Sequence, residues 1–277
     1  MDKTSLGDRM KEYERASRTH LTRRTPVIIR VDGKSFHTFT KRFRNLVEYG
    51  NADPQHHNIL HPDEPLVQIA ERESPFDDMM HSCMLSAAVQ MVHYIQNAAF
   101  AYTQSDEISI LLMDWRKLTT DAWFGNQVQK MASVAASMAT AAFYCMYQQY
   151  DVINYGPHMP MFDARVYNIP QEEVANYFIW RQQDATRNSI NMLGQFYFSH
   201  KQLQKKSTSD VQDMLMAQHG VNWNDILTWQ KRGTCVYRRS DFSSRGPEVD
   251  EEIPIFTKDR EYIERWLNPE TYMELSV

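Results

Sequence analysis

Long apolar runs, paired cysteines, repeats and an excess of positive charge are all missing from this chain of 277 residues. No stretch approaches the roughly eighteen consecutive apolar residues that cross a bilayer. The opening Met1-Asp-Lys-Thr-Ser also has no apolar signal region, so a cytoplasmic protein with no membrane partner is expected. Cys83, Cys145 and Cys235 are odd in number and far apart, which excludes a disulfide framework and a cysteine-rich zinc site; they are expected to be buried thiols. A net charge of −5 argues against a sequence-independent coat for nucleic acid, although a basic patch on an acidic body stays open.

What is present is an ordinary globular composition, 42% hydrophobic, in a chain long enough for one large domain or a core domain with helical additions. Residues 8 to 24 pattern as an amphipathic helix running into a basic connection, whose arginines either pair within the helix or face an anionic partner. Val27-Ile-Ile-Arg-Val31 has the composition of a central strand, stopped by Asp32-Gly33. Residues 44 to 75 carry four prolines and read as an irregular excursion. From Phe76, apolar residues recur at three and four, predicting a helix to about 99. Two strands follow, 99 to 104 and 107 to 113, pinched around Ser105-Asp106-Glu107. An alanine-rich helix over 127 to 149 predicts close packing on a sheet or on another subunit. A fourth strand is expected over 161 to 167, then a long helix from Pro170 to about Ser199 and another near 208 to 218.

The order β-α-β-β-α-β is that of the ferredoxin-like split unit. It sets the first strand antiparallel to the third, so that Asp32, ending one, meets Asp106 and Glu107, beginning the other. Carboxylates forced together repel and favour protonation, and a divalent metal reverses that preference. Mg²⁺ accepts one or two carboxylates plus waters and phosphates, which suits so sparse a set, and two such ions serve phosphoryl transfer. Gly33 lets the backbone turn sharply, and Lys34 to His37 are expected to offer main-chain N–H groups to a triphosphate. On the long helix, Arg181, Asp184, Asn188 and Asn191 step by three, four and three onto one face, either a solvent-facing stripe or a contact for nucleic acid or nucleotide.

Arg30-Val-Asp-Gly-Lys-Ser-Phe-His37, Tyr102-Thr-Gln-Ser-Asp-Glu107, Phe162-Asp-Ala-Arg165, Trp180-Arg-Gln-Gln-Asp184 and Lys231-Arg-Gly-Thr234 resemble, in order, the motifs of the tRNA-histidine guanylyltransferase family. The resemblance runs from about residue 8 to 240. It implies an α+β fold, a ferredoxin-like polymerase palm with additional C-terminal helices. Residues 1–170 would form the N-terminal helix and catalytic core, and 171–277 a helical, tRNA-contacting extension packed on the same domain. The implied activity is addition of nucleotides to the 5′ end of tRNA in the 3′-to-5′ direction, with ATP activating that end and GTP or another nucleoside triphosphate incoming.

By the same resemblance Asp32, the carbonyl of Gly33 and Asp106 hold two Mg²⁺ ions, and Glu107 supports them. Lys34, Ser35, Phe36, His37 and Ser105 line the triphosphate site, while Arg181, Asp184, Arg187, Asn188 and Asn191 meet tRNA. A homotetramer is also implied. Members that mature histidine tRNA carry His-Ile-Asn-Asn-Leu-Tyr-Asn after the Trp-Arg-Gln motif; here the stretch is Thr186-Arg-Asn-Ser-Ile-Asn-Met192. Thr186 in place of that histidine resembles the bacterial and archaeal branch, which repairs 5′-truncated tRNAs by templated addition. The excursion displaces the family's phosphate-binding lysine, with Arg44 and Arg72 as candidate substitutes. The alternatives are a palm-type nucleotide cyclase and a non-catalytic tRNA-binding protein.

Overall fold

Val27 to Val31 lie inside strand β1 (Val27–Gly33), which is paired on both sides, where β-branched side chains pack best. The computed structural model describes residues 5–36, 38–39, 75–115, 117–149, 159–238 and 246–267. Arg44, Arg72, His37 and all of the excursion except Pro75 lie outside them. With β2 (Ala98–Gln104), β3 (Glu107–Leu112), β4 (Phe162–Asn168), β5 (Thr234–Tyr237) and β6 (Glu248–Asp250), β1 forms an antiparallel sheet in the order β4-β1-β3-β2-β5-β6.

Helix α1 (Ser5–Ala16) precedes the sheet and buries no residue. The basic connection after it is tied down internally, because Arg23 Nε donates to Asp114 Oδ2 at 2.8 Å and the Arg24 N–H to Oδ1 at 2.8 Å. Helix α2 (Asp78–Tyr94) lies between β1 and β2, and α3 (Val128–Tyr147) between β3 and β4, giving the expected split unit. Asp77 caps α2 by accepting the Met80 N–H at 3.0 Å, which is why Pro75-Phe76-Asp77 marks its start.

Period-two alternation divides β1 and β3 between two layers. Val27, Ile29 and Val31 face α2 and α3 with Ile108, Ile110 and Leu112, against Met84, Met91, Ala135 and Phe143. Of the small residues of α3, Ala135 and Ala139 serve this packing and are fully buried. The opposite face carries Ile28, Phe100, Tyr102, Leu111 and Cys235 against α4 (Val174–Tyr197) and α7 (Glu261–Glu264). Between them come α5 (Thr208–His219), packed on the far end of α4 through Val211 and Leu215, and α6 (Thr228–Arg232).

The stretch from 171 on is not wholly helical: β5 and β6 widen the sheet beside β2. Both strands are too short to show a period in sequence. Gly233 permits the entry, because at φ 82° a Cβ would sit 2.6 Å from the Thr103 carbonyl oxygen. Cys83 and Cys235 are buried as expected, but Cys145 is exposed on α3. Among the described residues no helix is long and apolar enough to cross a membrane.

Candidate active site at the acidic end of the sheet

Strands β2 and β3 are joined by the two residues Ser105 and Asp106, with Ser105 at φ 50°, the left-handed conformation that tight hairpins demand. The Gly33 N–H donates to the Asp106 carbonyl at 2.9 Å, stitching the end of β1 to this turn. In register, Asp32 stands opposite Glu107. Partial burial pushes the Asp106 carboxyl above its ordinary range and the charge of Asp32 pushes it further, against relief from its own backbone and from Ser105 Oγ, 3.2 Å from Oδ1. Among the described residues no cation is paired with Asp106.

Glu107 is supplied with cations from within. Its Oε1 accepts from Arg181 Nε at 2.7 Å, and its Oε2 lies 2.9 Å from Arg30 Nη2. The same Arg30 nitrogen is 3.4 Å from Asp32 Oδ2. Burial raises the Glu107 carboxyl, while Arg181 and Arg30 oppose that rise. Arg181 also donates to Asp184 Oδ2 at 2.9 Å, and Arg187 to Asp184 Oδ1 at 2.7 Å. Partial burial would raise Asp184, but bonds from Arg187 and Arg181 hold it below its ordinary range. One chain of charges therefore runs from Asp32 through Arg30, Glu107, Arg181 and Asp184 to the exposed Arg187.

After β1 the backbone turns through Ser35 at φ 58°, and the Thr38 and Phe39 N–H groups return to the Ser35 carbonyl at 2.9 and 3.1 Å. A Cβ on Gly33 would come within 2.3 Å of the Phe36 ring, so glycine is needed for this close approach. Phe36 is buried, with ring centroids 4.9 Å from Phe162 and 5.4 Å from Phe143.

A family model described as tRNAHis guanylyltransferase matches residues 65–170. The tRNA(His) guanylyltransferase of Kluyveromyces lactis is 26% identical over 245 residues, covering 83% of this chain and 90% of its own length. Among solved structures, a bacterial tRNA(His) guanylyltransferase-like protein in complex with ATP is similar at a TM-score of 0.78 and 44% identity, over 95% of this chain and 99% of that one. The chain belongs to the tRNA(His) guanylyltransferase family. A bacterial tRNA(His) guanylyltransferase-like protein in complex with GTP matches at a TM-score of 0.73 and 39% identity, again over 95% and 99%. The guanylyltransferase of Saccharomyces cerevisiae shares the fold at a TM-score of 0.64. Named relatives in this family are nucleotidyltransferases.

Within this guanylyltransferase fold, Asp32, Gly33, Ser105, Asp106 and Glu107 come together at one end of the sheet. Among the described residues no group of three or more His, Cys, Asp or Glu is placed to hold a metal ion. Asp32 and Asp106, repelling each other with no guanidinium on Asp106 among the described residues, are the residues that fit Mg²⁺ completed by phosphate oxygens. Glu107 is different, since both its oxygens are engaged by arginines.

Two expectations are corrected by geometry. Arg181 is not on a solvent-facing stripe: it is 4% exposed, because Glu107 draws it inward. The Lys34 N–H is not offered to a ligand, since it donates to the Met161 carbonyl at 2.7 Å. The Phe36 ring belongs to the apolar core, which leaves the expectation for its main-chain N–H as it was. Asp184 is half-buried, while Arg187, Asn188 and Asn191 are exposed on α4. Sequence reasoning assigned no role to Arg30. Its position two residues before Asp32, hence on the same strand face, was the available signal.

Proposed function

We propose that this protein adds nucleotides to the 5′ end of tRNA in the 3′-to-5′ direction, repairing truncated ends by pairing to the opposite strand of the acceptor stem. The observation that carries this reading is the meeting of Asp32 and Asp106 at the β1–β3 end, in a chain 44% identical to a bacterial relative solved with ATP. On this reading ATP activates the 5′ phosphate, and the 3′-hydroxyl of an incoming GTP or other nucleoside triphosphate attacks it. Pyrophosphate or AMP leaves.

Asp32 and Asp106, with the Gly33 carbonyl, would hold two Mg²⁺ ions. Magnesium, when bound, supplies positive charge to the attacking hydroxyl and to the departing phosphate oxygens. Glu107, clamped by Arg30 and Arg181, fixes the start of β3 and so the position of Asp106. Arg30 also restrains Asp32 through the contact at 3.4 Å. Ser35 and Ser105 border the space for a triphosphate, and Arg187, Asn188 and Asn191 present polar groups to RNA along α4. The protein would act in the cytoplasm as a homotetramer. Ala135 and Ala139 of α3 lend that assembly no support, being used inside the subunit.

Thr186, where histidine-specific members carry histidine, supports templated repair over a single cognate tRNA. The test supplies several tRNAs lacking their first 5′ nucleotide, with ATP, Mg²⁺ and each nucleoside triphosphate in turn, and sequences the 5′ ends. Growth by the complementary nucleotide on more than one tRNA is expected. Addition of G to histidine tRNA alone, whatever lies opposite, would replace repair with histidine-tRNA maturation, and cyclic nucleotide made without tRNA would replace both.

A further inference from the structure

A cavity of about 360 Å³ opens beside Ser105 and Asp106, between the start of α2, the middle of α4 and α6. Its apolar wall is made by Phe76, Met80, Met84, Met192 and Trp229. Trp229 is held as a rigid plate. The His81 ring stacks on it at 4.0 Å between centroids and 11° between planes, and Phe76 meets it edge-on at 6.2 Å. His81 is fixed in turn, its Nε2 lying 2.8 Å from Glu251 Oε1.

The chemistry of this wall excludes one part of a nucleotide and suits another. Among the described residues neither lysine nor arginine lines the cavity, and its acidic members are Asp77 and Asp106, which disfavour a triphosphate there. Asp77 is already spent capping α2. An apolar, aromatic-walled space of this size, within the range of about 300 to 1,000 Å³ usual for ligand pockets, accepts a flat uncharged ring. Three carboxamides, on Gln104, Asn188 and Gln230, reach it from three different elements. Gln104 and Asn188 carry both donors and an acceptor, while Gln230, whose Oε1 already accepts the Leu227 N–H at 3.2 Å, brings its two donors; together they are a set that meets the edge of a nucleobase.

We propose that this cavity receives a nucleobase, with its sugar and phosphate leaving past Ser105 toward Asp106. The inference rests on the nucleotidyltransferase reading for its choice of ligand. Because carboxamides offer both kinds of hydrogen-bonding group, the pocket tolerates more than one base, and discrimination is left to pairing with the template strand. The base belongs either to a free nucleoside triphosphate or to the 5′-terminal residue of the RNA, and the two are separable by experiment.

Asn188 is exposed at the rim, so Asn188→Trp should fill the mouth without disturbing the core. Direct binding to the full-length protein with Mg²⁺ is measured for ATP, for inorganic tripolyphosphate, and for tRNA carrying either a normal or an abasic 5′-terminal residue. The melting temperature serves as the control for folding, and the double variant Asn188→Ala with Gln230→Ala, which removes hydrogen bonds without filling space, stands in if the tryptophan disturbs it. Stacking and edge contacts predict a loss of roughly tenfold or more for Asn188→Trp. ATP weakened by that factor with tripolyphosphate unaffected places the triphosphate's base in the cavity. Unchanged ATP affinity with lost preference for the normal over the abasic RNA end places the RNA's base there. ATP affinity and RNA preference both unchanged, or tripolyphosphate weakened in parallel with ATP, overturns the proposal. Binding needs no turnover, so the pocket stands or falls separately from the transfer reaction.

Discussion

The two faces of the sheet are built from the same strands to opposite specifications. On the face toward α2 and α3, β1 and β3 present Val27, Ile29, Val31, Ile108, Ile110 and Leu112, apolar from end to end. On the face toward α4, β1 reads Ile28, Arg30, Asp32 and β3 reads Leu111, Ser109, Glu107, apolar at one end and ionic at the other. The first face can be satisfied by any close packing. The second requires a partner for each charge, and α4 brings Arg181 to Glu107 while Tyr177 pairs its hydroxyl with Ser109 at 2.7 Å. Charges that would be expensive to bury alone are retained at the end of the sheet where the chemistry is proposed.

The sharpest way to break this contrast is at Asp106. Asp106→Ala should lower turnover in 5′-end addition by roughly a hundredfold or more, as expected when a group that positions charged reactants is removed. The fold should not suffer. Because burial and Asp32 raise this carboxyl, ionising it disfavours the folded state. In metal-free protein the Asp106→Asn variant should therefore gain stability relative to the parent as pH rises above the ordinary carboxylate range, and the two should converge in acid, where Asp106 is protonated. Mg²⁺ should flatten this difference. Parallel denaturation curves at every pH would mean that neither burial nor Asp32 disfavours the charged Asp106 carboxyl.

Arg181 should move stability and activity together. Removing one partner of a buried ion pair costs about 3–5 kcal/mol, and Arg181→Ala leaves Glu107 with Arg30 alone and loosens the start of β3. Loss of denaturation midpoint with a fall in kcat is expected. A fall in tRNA affinity with stability unchanged would return Arg181 to the substrate-facing stripe that its spacing suggested.

That stripe shows how far the sequence could be read. The apolar face was legible because β-branched alternation and three-four periodicity state burial directly, and the four-strand order followed from element types alone. Asp32 meeting Asp106 followed from the topology. The inward turn of Arg181 did not follow, because periodicity places a residue on a helix face without saying what opposes it. Helix α4 meets a sheet whose end is charged, so its polar stripe is part interior and part surface. Strands β5 and β6, four and three residues long, gave periodicity nothing to act on.

On the apolar face the expectation is the reverse of that at Asp106. Met91 is fully buried, and Met91→Ala should destabilise by about 2–5 kcal/mol through lost burial and the space left behind. At a temperature where the variant remains folded, kcat/KM should stay within a few-fold of the parent. A large kinetic defect with intact folding would show that this face also carries function.

The smallest effect is expected where the ionic chain reaches solvent. The Arg187 side chain is 60% exposed and bonds Asp184 at 2.7 Å. Exposed pairs contribute about 0–1 kcal/mol, so Arg187→Ala should scarcely move the denaturation midpoint. Asp184 keeps Arg181, and the buried half of the chain should stay in place. If Arg187 meets the RNA backbone, the variant should raise KM for tRNA and leave kcat unchanged, and the salt dependence of tRNA binding should become shallower by about one unit of slope. A drop in kcat with KM unchanged would mean instead that Arg187 acts inward through Asp184 and Arg181, and that the ionic face reaches further along α4 than burial alone indicates.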